Sequence, residues 1–107
     1  MSLDIQFTAI RTVTVGDFNI THNLTTMAKE AGVYSALWHP SNLDIKTAFD
    51  LLPYIVSALQ NLHAKPNYYK SFESGTGWGT YDQFVRMLEK LESFCINNLD
   101  AKLEVSL

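Results

Sequence analysis

From Ile5 onward the chain alternates, with Ile5, Phe7, Ala9, Val13 and Val15 on one face of an extended backbone and Gln6, Thr8, Thr12 and Thr14 on the other. A period of two with many β-branched residues predicts strand. Gly16-Asp17 then suits a two-residue hairpin turn, because glycine accepts positive φ. A turn there sets Val15 opposite Phe18 and Val13 opposite Ile20 on the apolar face. It also sets Thr14 against Asn19 and Thr12 against Thr21 on the polar face.

The period then changes to that of a helix. Leu24, Met27, Ala28, Ala31, Tyr34 and Trp38 form a first apolar stripe, with Asn23 as the expected N-cap and Gly32 as a point of termination or softening. His39-Pro40-Ser41-Asn42 breaks it. Ala48, Leu51, Leu52, Ile55, Val56, Leu59 and Leu62 form a second stripe, opened by Thr47 with Asp50 as a weaker capping box. Pro53 removes one backbone bond there and predicts a kink or a late start. Lys65-Pro66-Asn67 ends it, and Tyr68–Phe72 reads as a further turn. A loop from Glu73 to Gly79 leads to a capping box at Thr80 and Gln83. The third stripe follows as Tyr81, Phe84, Val85, Leu88, Leu91 and Cys95. Lys102–Leu107 alternates again and is expected to pair with Ile5–Ala9, since an isolated strand leaves its backbone donors unmet. The expected architecture is a single α+β domain over residues 1–107. An N-terminal β-hairpin and a C-terminal strand form a small antiparallel sheet, packed against three main α-helices.

Composition narrows the function more than it names it. The 107 residues are 47% apolar, 12% aromatic and 18% charged, enough for a core and unlike a disordered chain. A low charge with many aromatics predicts an apolar surface that meets a protein partner or a second copy, most simply as a two-fold dimer. Net charge is −3 and the eight lysines and arginines are scattered, which argues against nucleic acid as a partner. No run of apolar residues is long enough to span a membrane. No signal-like segment opens the chain, so a cytoplasmic location is expected. Cys95 is alone, which excludes an intrachain disulfide and a cysteine-based zinc site.

Three groups could carry chemistry. Asn19, Thr21, His22 and Asn23 stand at the hairpin exit and form a polar patch before a helix start, suited to an anion or carbonyl. Capping and solvation explain the same residues more simply. Gly75-Thr76-Gly77-Trp78-Gly79-Thr80-Tyr81 lacks the lysine of a phosphate loop and the preceding strand of a dinucleotide fingerprint. Its tryptophan between glycines is either a core plug locking the loop against the hairpin or the wall of a recess, with the plug as the expected role. His22, His39 and His63 have no metal-ligand spacing, and Cys95 on an apolar stripe reads as an inert thiol. No catalytic residue, metal site or cofactor is assigned.

Asn19-Ile20-Thr21-His22-Asn23, Met27, Ala31-Gly32, Leu37-Trp38 before Pro40, and Gly77-Trp78-Gly79-Thr80-Tyr81 together resemble a family of short bacterial, phage and prophage proteins. That family shows N-x-T-x-N near the start and N-G-W-G-x-Y before the last helix; here Thr76 stands in place of the usual asparagine. The resemblance implies an origin and no reaction. The expected role is a non-enzymatic accessory or interaction domain. The rival is a small-molecule site or enzyme built around Asn19, Thr21, His22, Asn23 and Trp78, with Trp38, His39 and Tyr81 as further binding candidates.

Overall fold

The computed structural model describes residues 2–8 and 14–107. Strand β1 (Ser2–Thr8) buries Leu3, Ile5 and Phe7 and exposes Asp4 and Gln6, the alternation a half-buried strand requires. It lies between β2 (Thr14–Thr21) and β3 (Lys102–Ser106), both antiparallel to it, in the order β2-β1-β3. Ile5 faces Val105 and Phe7 faces Leu103, so the C-terminal strand completes the sheet as its alternation predicts.

The hairpin differs from the expected one. Ile5 pairs with Phe18, Leu3 with Ile20, Asp4 with Asn19 and Ser2 with Thr21, so Gly16-Asp17 lies within β2 and makes no turn. Gly16 faces Phe7, and a Cβ on it would stand 2.6 Å from the ring of Phe94. The glycine supplies space for an aromatic ring, which is its other use in a strand. Phe7, Phe18 and Phe94 close around that spot, with ring centres 4.6–6.0 Å apart. The connecting residues 9–13, including Ala9, Thr12 and Val13, lie outside the described residues.

The first helical stripe divides in two. α1 (Thr25–Ala31) ends at Gly32, whose φ of 83° places it in the left-handed region that glycine tolerates, and α2 (Tyr34–Trp38) follows. Asn61 Nδ2 donates to the Ala31 carbonyl at 3.1 Å and so ties this end to the next helix. Asn23 does not cap α1. A 3-10 turn over His22–Leu24 precedes the helix, and the Thr21 hydroxyl accepts the Asn23 N–H. α3 (Ala48–Ala64) begins at its capping box without a late start and runs through Pro53. α4 (Pro66–Lys70) is the further turn, and α5 (Tyr81–Asn97) begins at the Thr80–Gln83 box.

α3 and α5 are the long helices and run antiparallel. The Tyr81 hydroxyl donates to the Leu62 carbonyl at 2.7 Å at one end, and the Phe49 N–H donates to the Leu99 carbonyl at 2.8 Å near the other. Their facing stripes, Leu51, Ile55, Ala58 and Leu62 with Phe84, Leu88, Leu91 and Cys95, are fully buried with the inward face of the sheet. Among the described residues, no helix is long and apolar enough to cross a membrane.

Candidate functional site

The two helix starts singled out in the sequence meet. Gly79, at φ 80°, packs so closely on the hairpin exit that a Cβ there would lie 3.0 Å from Asn23 Cβ and 3.3 Å from Leu24 and Thr21. Any side chain at 79 combines a strained left-handed backbone with unusually tight contacts that Asn23, Leu24 or Thr21 must relieve by a few tenths of an ångström, so glycine favours the close approach of the loop. Beside this contact runs an open groove of about 270 Å³, lined by Asn19, Ile20, Thr21 and Leu24 on one side and Trp78, Gln83 and Met87 on the other.

Trp78 is not a core plug: its side chain is 71% exposed. The loop does not need it as an anchor, because polar groups hold the backbone on their own. Ser74 Oγ donates to the Trp78 carbonyl at 2.8 Å, and the Trp78 N–H donates to Thr76 Oγ1 at 3.3 Å. From α5, Gln83 Oε1 accepts the N–H groups of Gly79 and Thr80, while its Nε2 donates to the Gly77 carbonyl. Glu73 Oε2 accepts the Tyr81 N–H at 2.7 Å and closes the loop across its base. The result is an indole displayed from an ordered frame.

The candidates from the sequence therefore separate. Asn19, Thr21 and Trp78 share the groove, and Asn23 stands against Gly79 at its margin. His22, Trp38 and His39 belong to a different cluster. The Trp38 indole Nε1–H donates to His22 Nδ1 at 3.0 Å, and the Tyr34 ring stacks on Trp38 at 5.2 Å. His39 meets the Tyr34 ring edge-on, and Lys29 Nζ sits 4.7 Å from that ring's centre. Trp38 is buried, with its one polar atom satisfied, as large aromatics in cores require. Tyr81 is a core residue whose desolvation raises its phenol above the ordinary value. Cys95 is buried too, and burial pushes its thiol up to about 12, far from a reactive thiolate.

Ile20, Leu24, Gln83 and Met87 also line the groove and are not among the candidate site residues; Ile20 and Leu24 read only as apolar positions of the strand and the first helical stripe. Gln83 was legible as a cap, and Met87, four residues on, projects from the same helix face. That spacing was the available signal. Among the described residues, no three His, Cys, Asp or Glu side chains come together as a metal-ligand set. Against family models, curated proteins and solved structures, the chain finds no match.

Proposed function

We propose that this domain is an interaction module, and that it docks a partner chain in the groove between the hairpin exit and the Trp78 loop. One observation carries the reading: a tryptophan left 71% exposed on a loop whose backbone is fixed by its own hydrogen bonds. Holding a large apolar ring in water is unfavourable, and a rigid aromatic anchor is what protein interfaces concentrate their binding energy on. The resemblance to short bacterial and prophage proteins fits such an accessory role in the cytoplasm.

The small-molecule reading is weaker for a specific reason. The groove is open and at the low end of ligand-site volumes. Its polar groups are also already engaged: Asn19 Nδ2 donates to Ser2 Oγ and Asp4 Oδ1, and both ends of the Gln83 amide serve the loop. Few remain to orient a substrate.

The test is affinity capture from the native host with the intact chain and its Trp78→Ala variant as parallel baits. A partner retained by the first and lost by the second is expected. Identical captures from both baits would remove the groove from the interaction.

A further inference from the structure

The hairpin exit is fastened to α2 by a bond that a proton can undo. Trp38 Nε1–H donates to His22 Nδ1 at 3.0 Å, so that nitrogen must offer its lone pair. An imidazolium carries N–H on both nitrogens, and a proton gained by this ring therefore lands between His22 and the indole donor. Two donors cannot share that space. Trp38, buried against Tyr34, is then left with its N–H unmet, which is costly. No neighbour answers the new charge either. Tyr34 stacks on Trp38 from the same helix, His39 meets Tyr34 edge-on, and Lys29 of α1 holds its ammonium 4.7 Å from the Tyr34 ring centre. Among the described residues no carboxylate oxygen lies within 4.0 Å of a His22 ring nitrogen.

We propose that His22 is a proton-operated clasp: the neutral ring holds the hairpin exit on α2, and protonation releases it and loosens one wall of the groove. The path to the groove is short. His22 opens the 3-10 turn over His22–Leu24, and a Cβ on Gly79 would meet Thr21, Asn23 and Leu24 of that same stretch at 3.0–3.3 Å. Thr21 and Leu24 also line the groove itself. Packing that tight passes a displacement of the turn on to the loop that carries Trp78. Histidine is the side chain that changes charge between about pH 5 and 8, so mild acid reaches this clasp. The capping boxes at Thr47 and Thr80, which start the two long helices, contain no histidine and stay closed over that range. The regulated surface is the docking groove described above, and the regulation rests on that reading.

Nitrogen–proton NMR on the intact chain, titrated from about pH 8 to about pH 5, tests this. Trp78→Ala tells the two indole signals apart. As the His22 ring gains its proton, the Trp38 indole N–H is expected to lose at least about fivefold of its protection against exchange, the net worth of one hydrogen bond. The Gly79 amide is expected to shift with the same midpoint. His22→Asn offers the indole an amide oxygen that does not titrate, and should abolish both changes, whereas His39→Gln should keep them. A His22 ring that gains its proton while the Trp38 and Gly79 signals stay fixed overturns the clasp. So does a ring still neutral at about pH 5, or a transition that survives His22→Asn. The first two outcomes are read on the native chain, so a variant that does not fold leaves the test intact. No partner is needed for the titration. Captures indifferent to Trp78 beside the expected titration would remove the docking reading and still support the clasp.

Discussion

The indole N–H of Trp38 donates to Nδ1 of His22 across 3.0 Å, and so joins the hairpin exit to the end of α2. The bond requires an unprotonated Nδ1, which fixes the tautomer. Wherever the His22 ring is neutral, its proton is expected on Nε2. Two-bond nitrogen–proton NMR correlations read this directly, and a proton found on Nδ1 would contradict the structure. Trp38→Phe removes the donor and part of a buried ring, and is expected to cost about 2–4 kcal/mol in chemical denaturation.

Trp78 is expected to behave in the opposite way. Trp78→Ala should change unfolding free energy by no more than ~0.5 kcal/mol, as exposed positions do. Acrylamide should quench its fluorescence readily in a Trp38→Phe background, while Trp38 in a Trp78→Ala background stays shielded. A cost of several kcal/mol would restore the anchoring role that the sequence reading gave it.

Gly16→Ala brings a Cβ within 2.6 Å of the Phe94 ring, so the ring must move. The expected cost is about 1–3 kcal/mol, the range for overpacking. Phe94→Leu should recover part of that cost when combined with it, giving a non-additive double-mutant cycle. Simple additivity would place the strain elsewhere.

Asp50 gives the domain an acid-side dependence. The Lys46 N–H, donated at 3.0 Å, is the largest influence holding this carboxyl below its ordinary value; burial opposes it, and the Thr47 N–H and hydroxyl reinforce it. A carboxylate with a depressed folded value contributes stability above its unfolded value of 3.8, and that contribution is lost as pH falls through the folded value. Asp50→Asn should therefore lower stability at neutral pH by about 0.5–1 kcal/mol, the scale of a cap, and flatten the decline in acid. Parallel slopes for the two proteins between pH 5 and about pH 2 would count against this assignment.

Which parts of this architecture could be read from the chain depended on whether a residue's reason was local. The capping boxes at Thr47 and Thr80, the stop at Gly32 and the pairing of Leu103 and Val105 follow from backbone chemistry and alternation, and all stand where expected. Gly16 misled because its reason is distant: the ring of Phe94, far along the chain, needs the room that looked like a turn. Asn23 looked like a cap, yet the hydroxyl two residues earlier took that part by opening a 3-10 turn. Trp78 looked buried because large aromatics mostly are. Nothing local revealed that Gln83 and Ser74 already held the loop, which left the indole free to face water.

The short contact of Lys46 and Thr47 with β3 has a consequence for how many chains can join. A sheet with two open borders can be extended from both, and repeated addition leads to fibres. Here Leu103 and Lys102 are already engaged from outside, and the three residues of β3 beyond them include the charge of Glu104. A strand arriving at that border therefore finds its first backbone donor already taken and a carboxylate beyond it, so this side of the sheet is closed to lengthening into a fibre.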